Sequence, residues 1–201
     1  MNTPYRQIRA RQTAETITVY QAYGPAIGGP AGATGRFPAA FKRDRMTWIK
    51  PSFIWMMYRC GWATKPGQEH VLAIEIRRSG FLWALRHSAL SHFDSSVHAT
   101  RESWERTRHQ PVRLQWDPER DLHLNRLPHR SLQIGLSAEA VHLYLTTWIT
   151  QITDITPQVH KIRDLMASGQ DSRSLLPRET PLELPEDVAL SIGCATRPHA
   201  G

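Results

Sequence analysis

The sequence predicts an α+β protein: small mixed sheets flanked by helices. Segments with period-two alternation (TITVYQAY, HVLAIEIR, VRLQW) stand beside segments with helical spacing (PSFIWMMYRC, SGFLWALRHS). The two kinds follow one another without the strand–helix–strand rhythm of a doubly wound sheet. The chain has 201 residues, 40% of them apolar and 21% charged, enough for one domain with its own core.

Taken in order, Thr16–Tyr23 is a strand rich in β-branched and aromatic residues, followed by GPAIGGPAGATG, a loop or loose helix. Met46–Lys50 is a short strand. Pro51–Cys60 is a helix with proline in its first turn and Gly61 just past its end. Lys65–Gln68 is a turn into the strand His70–Arg77, with helices near Ser79–Ser88 and Thr100–Arg108. Val112–Trp116 and Arg130–Leu136 are strands, and Asp117-Pro118 marks a corner after the first of them. Ser137 caps a long helix to about Ile152, and Thr156-Pro157 opens a last helix that ends near Gly169. Residues 1–14 form a basic arm, 15–169 a single globular domain, and 170–201 a proline-rich tail that is either extended or draped over the surface.

The apolar run Phe53–Tyr58 is far shorter than the roughly 20 residues of a membrane span. The N-terminus has no signal-peptide core, so the expectation is a cytoplasmic protein with no membrane partner. Two cysteines, Cys60 and Cys194, provide neither a disulfide framework nor a four-ligand zinc site. His87, His92 and His98 are spaced by five and six, not the three or four of paired ligands on one helix face, so no metal is predicted. The glycine-rich stretch lacks the endings of phosphate-binding loops, and neither G-x-S-x-G nor H-E-x-x-H occurs. A formal charge of +7 favours an anionic small molecule, a nucleotide or RNA as partner.

Met46–Trp62 is the most informative segment. A strand ending at Lys50 runs directly into a helix start, where backbone N–H groups attract anions, with the Ser52 hydroxyl beside them. Arg59 lies four residues after Trp55, in position to stack on it or to reach the same anion. The same pattern also fits a plain aromatic core with Lys50 and Arg59 at its edge. Two glutamines stand where apolar residues are expected. Gln21 shares a strand face with Ile17, Val19 and Tyr23, and Gln133 lies between Ser131 and Gly135, leaving room for a ligand. Each is either satisfied internally or part of a site.

ETITVYQAY, RMTWIKPSFIWMMYRCGW, GQEHVLAI, ALRHSALSHFD, VRLQWDPERDL, RSLQIGLS and ITDITP together resemble domain-of-unknown-function family 4291, in unbroken order from about Arg6 to Ile162. The family name implies no activity. More distantly, the order of elements is similar to the ADP-ribosyltransferase fold, in which NAD lies in a cleft between two small sheets. That resemblance implies NAD as substrate, with cleavage of its nicotinamide–ribose bond. It places Tyr20, Gln21 and Tyr23 in the first-strand motif, Lys50 and Ser52 in the middle one and Gln133 at the late-strand position, with Lys50 and Arg59 holding pyrophosphate and Trp48 among the cofactor-binding residues. Glutamine cannot ionise to stabilise the developing cation, so either another acid enters the site, Asp117 or, less well placed, Glu75, or the protein is a nucleotide- or RNA-binding module without that reaction.

Overall fold

The computed structural model describes residues 3–194, and two sheets organise it. In the first, β2 (Thr16–Tyr23), β4 (His70–Arg77) and β8 (Ile149–Asp154) are antiparallel with β4 central. The second has the order β3 (Thr47–Ile49), β7 (Arg126–Leu136), β6 (Val112–Arg120), β5 (Ser88–Leu90), with β5 parallel to β6 and the rest antiparallel. The sheets meet at one backbone bridge, where Tyr20 N–H donates to Lys50 O at 2.7 Å and Lys50 N–H returns to Tyr20 O at 3.2 Å. The architecture is therefore α+β, as the sequence predicts.

β2 buries both faces. Ile17 and Val19 join the larger core with Ile74, Leu132, Ile134 and Tyr144. Tyr20 turns the other way, into a smaller core with Phe53, Met57, Val159 and Ile162. That second core is built by α2 (Phe53–Cys60) and α6 (Thr156–Ala167), and it holds Cys60 as a fully buried thiol.

Of the two readings of GPAIGGPAGATG the helix holds: it contains a ten-residue helix, α1 (Pro25–Thr34), in which Gly28 and Gly32 are packing requirements. A Cβ on Gly28 would lie 2.2 Å from the His70 Cβ, and one on Gly32 would lie 2.6 Å from that of Asp154. Asp117-Pro118 is not a corner. β6 runs through it to Arg120, and the proline is accommodated by a register shift between Pro118 and Arg120. The predicted long helix after Ser137 breaks into α5 (Glu139–Leu143), one π-helical turn (Tyr144–Trp148) and β8, because β-branched ITQIT continues the first sheet.

The arm and tail are integral to the fold. β1 (Arg9–Ala10) pairs with β9 (Thr180–Pro181), and Ile8, Leu182, Val188 and Ile192 are buried in the larger core. Residues 195–201 of the predicted tail, like Met1 and Asn2 of the arm, lie outside the described residues. Among the described residues, no helix is long and apolar enough to cross a membrane. Nor do three His, Cys, Asp or Glu side chains gather there into a metal-holding group.

Candidate functional site

Both sheets, α2 and the loop before β3 enclose a cavity of about 780 Å³. One wall is β2 with β3. There Gln21, only 2% exposed, is saturated. Its Nε2 lies 2.8 Å from both Tyr23 OH and Thr47 Oγ1 and 3.3 Å from Trp48 O, while Tyr144 OH donates to its Oε1 at 2.8 Å. Burial raises the Tyr23 phenol to about 12, against the Thr47 hydrogen bond and Arg45, and lifts Tyr144 well above its ordinary value. These hydroxyls are locked as neutral hydrogen-bonding groups.

The opposite wall is β6 with β7. Asp117 and Gln133 line the cavity, and Gln133 Nε2 donates to Asp117 Oδ2 at 2.6 Å. Gln115, directly across the β-ladder from Gln133, donates to Asp117 Oδ1 at 2.9 Å. Two amides thus orient one carboxylate. The space beside Gly135 is filled rather than open, since a Cβ there would lie 2.6 Å from Met46 Sδ and 3.0 Å from the Trp48 ring. Glu75, on β4, is outside the cavity.

At the junction of the walls stands Lys50, 7% exposed, with Nζ donating to Trp48 O at 3.2 Å. Among the described residues no carboxylate lies within ion-pair distance of it. Desolvation, reinforced by Arg59 and opposed by Cys60 and Asp117, pushes its pKa down to about 7. Lys42, Arg45, Lys50, Arg59, Arg120 and Arg126 all line the cavity, six basic residues to the one acid, Asp117. Trp48, Trp55 and Tyr58 supply aromatic surface, and the Trp55 Nε1 donor is buried without a partner.

Three expectations change. Tyr20 faces away from the cleft, edge-on to Phe53 at 5.5 Å between ring centroids, because successive strand residues alternate faces. Ser52 is the α2 N-cap, its Oγ accepting from Trp55 N–H at 3.1 Å, and it is buried away from the cavity lining. The helix N-terminus is also filled, since Phe53 N–H donates to Glu179 Oε1 at 2.6 Å. The acceptor at that helix start is thus a carboxyl group of the protein itself. Arg59, exposed, is not the stacking partner of Trp55; Arg120 lies over the Tyr58 ring at 3.8 Å and the Trp55 ring at 5.8 Å.

Of the residues singled out from the sequence, the cavity thus gathers Gln21, Tyr23, Trp48, Lys50, Arg59, Asp117 and Gln133, and leaves out Tyr20 and Ser52. Residues 7–182 match the family model described as domain of unknown function DUF4291. The chain belongs to the DUF4291 family. No curated protein and no solved structure matches it significantly. In this DUF4291 domain the cations missed by sequence reasoning are Lys42, Arg45, Arg120 and Arg126. Arg120 and Arg126 flank the β6–β7 turn, and alternation from Asp117 does not place them, because the register shift intervenes. The match also spans β1 and β9.

Proposed function

We propose that the cleft binds a phosphate-bearing nucleotide, with NAD as substrate, and that the protein cleaves the nicotinamide–ribose bond in the manner of an ADP-ribosyltransferase. The observation carrying this reading is the six-to-one excess of basic over acidic side chains around the cavity. About 780 Å³ falls within the roughly 300–1,000 Å³ range of small-molecule sites. Arg120, Arg126 and Arg45 supply charge-assisted hydrogen bonds to phosphate, and the aromatic surface of Trp48 accepts a base or nicotinamide ring.

The chemistry assigned to the residues is economical. As the glycosidic bond lengthens, positive charge develops on the ribose, and Asp117, held by Gln115 and Gln133, opposes it. Gln133 spends its amide N–H on Asp117, which leaves Oε1 to accept a ribose hydroxyl. Gln21 acts indirectly, by fixing the strand that carries Tyr23. The test is calorimetric titration with NAD, ADP-ribose, ATP and a short RNA, with nicotinamide release followed by mass spectrometry. Binding of NAD with nicotinamide release is expected. Failure of every nucleotide to bind overturns the reading.

A second reading, a nucleotide- or RNA-binding module without catalysis, is favoured by the Arg120–Tyr58 stack and the exposed Lys42, Arg43 and Arg45. It predicts RNA binding with steep salt dependence and no nicotinamide release.

A further inference from the structure

We infer that Lys50 is an amine nucleophile toward a phosphate-bearing aldehyde or ketone, forming an imine at Nζ. The inference rests on the anion-binding reading of the cleft but not on NAD as the ligand.

Four observations converge. Lys50 is buried in the cavity wall, and Nζ spends one hydrogen bond on Trp48 O, leaving two of its donor positions without a partner. Among the described residues no carboxylate pairs with it, although an unpaired buried ammonium is among the costliest groups a protein can hold. The amine therefore titrates near neutrality and carries an available lone pair, which a permanently charged lysine lacks. Trp55, which lines the same cavity, keeps its Nε1 donor buried without a hydrogen-bond partner. The permanent cations that would hold a phosphate, Arg45, Arg120 and Arg126, are separate residues. Phosphate recognition and amine chemistry are thereby divided between different side chains.

In the reaction, the Nζ lone pair bonds to the carbonyl carbon while the C=O π pair moves to oxygen. The oxygen takes up both amine hydrogens in turn, through the carbinolamine, and leaves as water. One amine and one carbonyl give one imine and one water, with no oxidant or reductant needed. Asp117, the carboxylate of the cavity, is the group available to pass those protons.

The chain has only four lysines, and Lys42, Lys65 and Lys161 are all exposed, so labelling is easily assigned. The full chain is incubated with pyridoxal 5′-phosphate, or with pyridoxal lacking the phosphate, then reduced with borohydride and mapped by peptide mass spectrometry. The expected result is one phosphopyridoxyl adduct on Lys50, at least tenfold over each exposed lysine and at least tenfold over pyridoxal. Pyrophosphate suppresses it. In Lys50→Arg, which keeps the charge and gives an unchanged far-UV spectrum, the adduct disappears. Adducts confined to Lys42, Lys65 and Lys161 overturn the inference. NAD binding with Lys50 unlabelled sinks this proposal and spares the nucleotide reading; Lys50 labelling without NAD binding does the reverse.

Discussion

The two walls of the cleft are built from the same residue types and behave differently. On the β2 side, Gln21 meets Tyr23, Thr47, Trp48 and Tyr144, so every polar atom is spoken for within the protein. On the β6–β7 side, two glutamines converge on one carboxylate that still faces the cavity. A glutamine on an apolar strand face therefore has two meanings. It is a structural clamp where its partners are neutral hydroxyls, and a positioning group where its partner is an ion exposed to the cavity.

Substitutions on the two walls should separate these roles. Asp117→Asn is expected to reduce nicotinamide release at least about 100-fold, the scale of losing one preorganised electrostatic contact in a reaction, with a smaller effect on NAD affinity. Equal losses in turnover and in melting temperature would erase the distinction between the walls. Gln21→Leu should act on stability instead, costing about 1–3 kcal/mol for the buried Tyr144 hydroxyl it orphans, while Thr47 and Tyr23 keep each other at 3.1 Å. Denaturant unfolding measures this, and a variant of native stability with lost activity would reassign Gln21 to the chemistry.

Lys50→Met should raise stability at pH 6 by about 1–2 kcal/mol, at the low end of the gains seen when buried ions give way to apolar groups, while abolishing imine trapping. The native state holds Lys50 near 7 against an ordinary 10.5, so between those values the unfolded chain binds more protons. Wild-type stability therefore rises with pH across that window, and the variant loses the rise. Glu179 runs the opposite way. Desolvation, aided by Glu119 and opposed by the Phe53 N–H and Arg9, raises it from 4.5 to about 8. Its stabilising contribution is full below pH 4.5 and is lost as pH climbs through about 8. Glu179→Gln should flatten that fall, the smallest effect of the four, measured by thermal melts from pH 4 to 9.

How far the sequence disclosed this arrangement depended on the range of the signal. Alternation in TITVYQAY located β2 and marked Gln21 as misplaced, because strand period is a local property. The same alternation puts Tyr20 opposite Gln21 on the strand, and only the distant resemblance grouped them. β8 escaped notice since VHLYLTTWITQI also satisfies helical spacing, and only pairing with β4 decides between the two. Asp117 was legible as an acid near the site, but Pro118 disguised the strand that carries it. Glu179 gave no sign at all: it closes the α2 N-terminus from 126 residues away, and no local pattern encodes such a contact.

That last contact also sets an order of assembly. Phe53 emerges from the ribosome early, yet the carboxylate that completes its helix start is made only after all the strands of both cleft-forming sheets. β1 likewise waits for β9, its partner near the other end of the chain. Nascent chains stalled before residue 179 would carry the arginines and Asp117 of the cleft without the carboxylate beneath α2. The folding of α2 is thus tied to the synthesis of a segment 126 residues downstream, and its protection against proteolysis should appear only once Glu179 has left the exit tunnel.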